Sequence, residues 1–243
     1  MTSSSLVDEW ERQFRRRGET PVVPAATVVL LRNHDGGGLE TLMLQRHSEI
    51  AFGGMWVFPG GRIDVDDHEG VNEMLDVART AAVREVAEES GLEVVSEELV
   101  HFAFWVPPPI APRLFATWFF AAPAGREPVV IDDGEITHHE WMRPADAIRR
   151  CDEGELELAP PTWVTLHTVD RYGDVDTAIR ELDARVPRYY VTHLGRGDSG
   201  PVAMWAGDAG YDKGEPSMVG PRHRLEMTPS GYHFDESGYR DPS

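Results

Sequence analysis

From Val22 to about Val191 the chain alternates short apolar runs with longer stretches of helical periodicity. Ala25 to Leu31 is nearly continuous in apolar residues and rich in valine, the pattern of a strand buried on both faces. Asn33 to Gly38 is polar and contains Asp35-Gly36, so it predicts a turn. Thr41 to Arg46 then reads as a second strand pairing with the first as a hairpin. Trp56 to Phe58 predicts a short strand entering the turn Pro59-Gly60-Gly61. Residues 72–90 predict a helix. Ala78 and Ala81 fall on the face of Glu85, where small side chains would leave room beside the carboxylate. Val83 and Val86 fall on another face and would meet a sheet. Gly91 supplies the left-handed conformation that stops the helix. Further strands are expected at Val100 to Val106, Phe115 to Ala121 and Ile136 to Met142, with Pro107-Pro108-Pro109 parting the first two. Pro144 to Arg150 predicts a short helix, and Thr162 to Arg185 is mostly helical with a break at Gly173.

The two ends differ from this middle. Residues 1–20 are polar, with Trp10 and Phe14 at helical spacing beside Arg15-Arg16-Arg17, which predicts a short amphipathic arm. Residues 192–243 carry seven glycines between Gly195 and Gly220, so this stretch is turn-rich. Val202 to Trp205 and His223 to Met227 are its strand candidates. Trp205, Tyr211 and Tyr232 favour an ordered extension over a loose tail. The expected organisation is an arm over 1–20, one α/β domain over 21–191 and an extension over 192–243.

Composition narrows the classes. Of 243 residues 41% are hydrophobic, enough for a globular core. A net charge of −19 argues against long nucleic acids, which select basic patches. Small nucleotides are not excluded, because a bound metal inverts the local field. Cys151 is the single cysteine and cannot form an internal disulfide. There is no apolar run of about 18 residues and no signal-peptide core, so the expectation is a cytoplasmic protein that does not enter a membrane.

The most specific stretch is Arg84-Glu85-Val86-Ala87-Glu88-Glu89-Ser90-Gly91-Leu92. Glu85, Glu88 and Glu89 neighbour one another on a helix, and like charges at i, i+4 are costly there. Arg84 precedes Glu88 by four residues, the weaker order for an ion pair. A hard divalent cation, which prefers oxygen ligands and substrate phosphates, would remove the repulsion.

This stretch matches every defined position of R-E-U-x-E-E-x-G-U, where U is a bulky aliphatic residue, and resembles the core of the Nudix box. The full box reads G-x5-E-x7-R-E-U-x-E-E-x-G-U. Counting back from Arg84 places Gly70 and Asp76 at its front. Starting instead from the Pro-Gly-Gly turn places Gly61 and Asp67 there, with about nine additional residues before Arg84. The second register is favoured, because Phe58-Pro59-Gly60-Gly61 followed by Asp64 and Asp67 resembles the subgroup acting on coenzyme A and related diphosphates.

The resemblance implies a Nudix α/β/α sandwich with a mixed β-sheet. It implies hydrolysis of a diphosphate linkage in a small nucleotide derivative, with Mg²⁺ or Mn²⁺ as cofactor. Glu85, Glu88 and Glu89 are the implied metal ligands with the backbone carbonyl of Gly61, and Arg84 is the residue that orients the glutamates. The general base is not set by the motif; Asp132, Asp133, Glu135 and Glu140 are candidates beside the box glutamates. Arg46, Trp56, Gly60 and Gly61 are the candidate substrate contacts. Coenzyme A-type substrates come first, with ADP-ribose, NADH and dinucleoside polyphosphates open, and a homodimer is a further expectation. Two other classes share the fold: a catalytically weak nucleotide-binding regulator, which tends to lose box glutamates, and an isoprenoid-diphosphate isomerase, which needs a catalytic cysteine in the core.

Several residues have plainer readings. Asp64 and Asp67 are more often loop acids than ligands, and Trp56 is more often core than a stacking platform. His138 and His139 adjoin on a strand, so they point to opposite faces and suit no shared metal. Arg196-Gly197-Asp198 is incidental in a chain without a secretion signal.

Overall fold

The computed structural model describes residues 22–47, 53–109, 114–131 and 134–241. The predicted arm over 1–20, and Asp132 and Asp133, lie outside the described residues.

The main sheet is built around β1 (Val22–Asn33). β2 (Leu39–Arg46) returns antiparallel across the predicted turn, pairing Leu31 with Thr41 and Asn33 with Leu39. β3 (Trp56–Val57) pairs with the far end of β2. β4 (Gly60–Arg62) lies on the same edge of β1 as β2 does, but at the start of β1, opposite Ala25 to Thr27. β5 (Val100–Val106) and β6 (Leu114–Pro123) form an antiparallel pair, and β6 runs parallel to β1 along ten residues. β7 (Ile136–Met142) pairs antiparallel with β2. β8 (Arg188–Val191) adds a parallel strand to the outer edge of β5. The sheet is therefore mixed, in the order β3-β2-β1-β6-β5-β8.

The valine-rich run is buried on both faces as predicted, and alternate side chains serve separate cores. Val28 and Leu30 join a cluster with Phe104, Trp118 and Phe120 that is covered by α1 (Met74–Ser90). Val29 and Leu31 join a second cluster with Met43, Phe102 and Trp105. That cluster is covered by α2 (Pro144–Asp152), α3 (Pro160–Val169) and α4 (Val175–Asp183). This is the expected α/β/α sandwich. No helix among the described residues is long and apolar enough to cross a membrane.

One expectation about α1 is corrected. Ala78 and Ala81 are fully buried with Ala82 and Val86 against the sheet, while Val83 is only partly covered. Their small side chains let the helix axis approach the strands closely instead of merely leaving space beside Glu85.

Beyond β8, four strands make a second, antiparallel sheet. They are β9 (His193–Gly197), β10 (Gly200–Met204), β11 (Arg224–Thr228) and β12 (Gly231–Asp235). Trp205, fully buried, inserts between the sheets and donates from its Nε1 to the Thr192 hydroxyl at 3.1 Å. Its ring meets Trp105 edge-on, and Tyr190 stacks on the same Trp105 at 3.9 Å. A buried pair, Arg224 to Asp208 at 2.7 Å through both carboxylate oxygens, closes the long loop between β10 and β11. The expected strands around Val202 and Leu225 are present. β9 and β12 were not predicted, because glycine-bearing strands of five residues carry little alternation.

Candidate functional site

The Pro59-Gly60-Gly61 turn is pinned to the start of β1. The Thr27 hydroxyl donates to the Pro59 carbonyl at 2.7 Å, and the Val28 N–H donates to the same oxygen at 2.9 Å. β4 therefore runs directly beneath the last turns of α1. The helix ends at Gly91, whose φ of 67° is readily adopted only by glycine, and the Val130 N–H caps the Ser90 carbonyl at 2.8 Å.

Two of the three box glutamates turn toward this floor. Glu89 is 4% exposed, and its Oε2 accepts the Gly60 N–H at 2.8 Å. The Glu85 carboxylate lies over Gly61, where an added Cβ would meet it at 2.5–2.6 Å, so only glycine leaves the carboxylate in this position. Glu88 turns away: its side chain is 59% exposed and accepts Arg84 Nη1 at 2.9 Å. The structure thus brings Glu85 and Glu89 together at Gly60 and Gly61, and leaves Glu88 at the rim.

Arg84 is the hub below them. It donates from Nη1 to Glu85 at 2.8 Å, and from Nε and Nη2 to the two oxygens of Asp67 at 3.0 and 2.8 Å. Nη2 also reaches the Arg62 carbonyl at 3.1 Å. Asp67 is 3% exposed and also takes the Asp64 N–H at 2.8 Å. It is neither a solvated loop acid nor a ligand, but the buried fork that sets the guanidinium plane. Its spacing of six residues after Gly61 was the available signal. Gly70, by contrast, has open space around it, and Asp76 is paired with Arg79 on the surface.

Burial and charge pull these groups apart. Burial drives the Glu89 carboxyl up to about 8, against the opposing pull of the Gly60 N–H and Arg46. Burial also raises Glu85, which Arg84 only partly offsets. The charge of Glu135 pushes both in the same direction. At Asp67 burial raises the carboxyl, but hydrogen bonds from Arg84 and Asp64 outweigh it and hold the group below its ordinary range. Hydrogen bonding to Asp67 first, and to Glu85 after it, keeps Arg84 firmly protonated.

Asp67 thus contributes stability above the ordinary carboxyl range, and that contribution is lost as pH falls through its depressed value. Asp67→Asn is expected to lower the unfolding free energy at pH 7 by about 1–3 kcal/mol. The deficit should shrink in urea titrations repeated at progressively more acidic pH. A deficit constant with pH would mean that the pair is not the cause.

The remaining candidates separate clearly. Arg46 lies at the site, with Nη1 3.4 Å from both Glu89 Oε1 and the Gly60 carbonyl oxygen and Nη2 2.6 Å from Glu135. Trp56 is a correction: it is 8% exposed and belongs to the core on the sheet face opposite α1, so it presents no ring to a substrate. Its strand pairing with β2 and its N–H bond to the Glu157 carbonyl hold it there. Glu140 pairs with Arg150 at 3.0 Å on the far side of β7, which leaves Glu135 as the described acid beside the glutamates. Cys151, on α2, packs against that opposite face as well.

The donor set suits a hard divalent cation. It consists of carboxylate and carbonyl oxygens, burial raises the carboxyls of buried Glu89 and partly buried Glu85, and the floor is open because residue 61 has no Cβ. Among the described residues no three His, Cys, Asp or Glu side chains converge on one point, since Glu88 is held by Arg84.

The sequence profile of the NUDIX domain matches residues 21–162, more than half of the chain. Among solved structures, a NUDIX hydrolase from Alicyclobacillus acidocaldarius is 21% identical with a TM-score of 0.60, covering 66% of this chain and 96% of its own. The NUDIX domain of Shewanella oneidensis NrtR, complexed with ADP ribose, is 21% identical with a TM-score of 0.47, covering 69% and 96%. A C. elegans Ap4A hydrolase is 21% identical with a TM-score of 0.36, covering 67% and 96%. No curated protein matches the chain.

Proposed function

Because the chain belongs to the Nudix family of hydrolases acting on pyrophosphate bonds, we propose that it cleaves the diphosphate linkage of a small nucleotide derivative with Mg²⁺ or Mn²⁺ as cofactor. The observation that carries this reading is the pair of carboxylates facing the Gly60-Gly61 floor, Glu89 buried and Glu85 partly buried. In water-exposed helices such carboxylates would simply be solvated; here burial leaves them short of positive charge.

Glu85 and Glu89 would hold the cation with the Gly61 carbonyl, and Glu88 would join through water or after release from Arg84. The cation supplies charge neutralisation on the phosphate oxygens and a more acidic water. Arg84 acts as a positioning residue, its planar fork spanning Asp67 and Glu85. Arg46 offers a guanidinium to substrate phosphate. Glu135 is our assignment for the carboxylate that orients the attacking water and accepts its proton.

Coenzyme A-type substrates are the first choice within this class, on the Phe58-Pro59-Gly60-Gly61 start with Asp64 and Asp67; ADP-ribose and NADH follow. In this reading residues 21–191 form the catalytic domain and 192–243 an extension packed on it, in a cytoplasmic homodimer. All three box glutamates are retained, which disfavours a silent regulator. The place of Cys151 on the opposite core disfavours an isomerase.

The test is a panel of coenzyme A, acyl-coenzyme A, ADP-ribose, NADH and dinucleoside polyphosphates, with products identified by mass spectrometry. Cleavage of a phosphoric anhydride is expected with Mg²⁺ or Mn²⁺ and should vanish in excess EDTA. Undiminished turnover in the chelator, or no turnover of any panel member, would sink the proposal.

A further inference from the structure

Arg46 closes β2 at a point where pairing with β7 slips, between Gln45 and Arg46. Such an irregularity re-aims a side chain. The Arg46 guanidinium, 15% exposed, faces oxygens from three separate elements. Nη2 donates to Glu135 Oε2 at 2.6 Å, a short charge-assisted bond. Nη1 lies 3.4 Å from Glu89 Oε1 and 3.4 Å from the Gly60 carbonyl oxygen, at the outer limit of hydrogen bonding. Nε is buried with no hydrogen-bond partner among the described residues. The Glu135 backbone is itself tied to the end of β2, its carbonyl accepting the His47 N–H at 2.8 Å. One end of the guanidinium is therefore anchored, and the other rests loosely on the floor of the site.

The loose end sits on the oxygens of Glu89 and of the glycine turn. A divalent cation on Glu89, with the adjoining Gly61 carbonyl, would repel it strongly in a partly buried site. We infer that Arg46 is a two-position residue, a resident cation that yields its place at Glu89 to the divalent ion and then presents its freed Nη1 to a phosphate oxygen of the substrate. This rests on the assignment of Glu85 and Glu89 to the metal. Without the ion, Nη1 rests against Glu89 Oε1. With it, Nη1 leaves Glu89 and Gly60 while Nη2 keeps Glu135. Ion entry and the making of a phosphate subsite thereby become one event, and the nucleotide is bound well only after the ion. The long reach of an arginine with one tethered nitrogen suits this exchange; a lysine carries all its donors on one nitrogen and cannot stay on Glu135 while a second nitrogen changes partner.

The experiment is a Mg²⁺ titration of the ¹⁵N-labelled wild-type protein, following the Gly60 and Gly61 amides together with the Arg46 Nε–H, assigned by its loss in Arg46→Lys. All three signals should move with one midpoint, and ADP added afterwards should move Nε–H again, whereas ADP without Mg²⁺ should not. Arg46→Gln should bind Mg²⁺ roughly tenfold more tightly, because a competing charge is gone. Amides that shift while Arg46 Nε–H stays still would overturn the exchange and leave the metal site standing. If none of the signals moves, the exchange and the metal assignment fall together.

Discussion

Glu89→Gln is expected to cut turnover severely while making the metal-free protein more stable at alkaline pH. Folding raises the Glu89 carboxyl from 4.5 to about 8, chiefly by burial. Across that interval the folded chain keeps a proton that the unfolded chain has released, so the metal-free protein loses stability as pH rises and levels off above about 8. Glutamine can still accept the Gly60 N–H and never ionises. Urea titrations in EDTA at pH 5, 6.5 and 8 should show a steep decline for the wild type. For the variant only a shallower one should remain, owing to Glu85, which burial also raises. Turnover should fall about 10³-fold, the scale of losing several kcal/mol of charge stabilisation. The two effects have opposite sign, which a merely structural residue does not produce. A variant that loses stability and activity together would refute the assignment.

The adjacent glycines should fail in different ways. Gly60 has φ of 154°, and an added Cβ would lie 2.4 Å from the Ala26 carbonyl oxygen and 2.6 Å from Thr27 Cα. Both belong to the backbone of β1, which is paired on both edges and cannot retreat. Gly60→Ala should cost about 3–5 kcal/mol, combining backbone strain and overpacking. At Gly61 the three nearest atoms to the added Cβ all belong to the Glu85 carboxylate, the far end of a flexible side chain. Gly61→Ala should stay within about 1 kcal/mol of wild-type stability, because the carboxylate swings aside. Its turnover should drop by about 10²-fold, as expected of a group displaced by about an ångström. Thermal melts and turnover on the two purified variants decide the matter. Full activity in Gly61→Ala would mean that Glu85 does not work over that floor.

The parts of the fold governed by local periodicity were legible. The run from Ala25 to Leu31 announced a strand covered on both faces, and the helix before Gly91 announced its own end. What escaped depended on pairings between distant segments. Gly60 to Arg62 reads as a turn because two of its three residues have no side chain to alternate; it becomes a strand only because the start of β1 offers an open edge. Arg46 and Glu135 are 89 residues apart, and nothing local to either predicts their contact. Asp67 was legible in spacing but not in role, since a buried aspartate and a loop aspartate look alike until Arg84 is placed over it. Trp56 shows the converse error: proximity to a motif says nothing about which face of the sheet a ring occupies. The pairing of Glu85 with Glu89 at the floor, apart from Glu88, follows from where β4 runs, which periodicity cannot show.

The strand β8 has a consequence for what counts as one folding unit. The stretch that resembles other Nudix domains ends at residue 162, inside α3. Yet the outer edge of β5 is paired by β8, and Trp105 is stacked on by Tyr190 and met edge-on by Trp205, both from further along the chain. A chain shortened to the matched stretch would leave β5 as a bare edge with its aromatic face uncovered, an invitation to pair with another copy. The family match and the packing therefore draw different borders in this protein, and the sheet that carries β1 and β6 is closed only within the wider one.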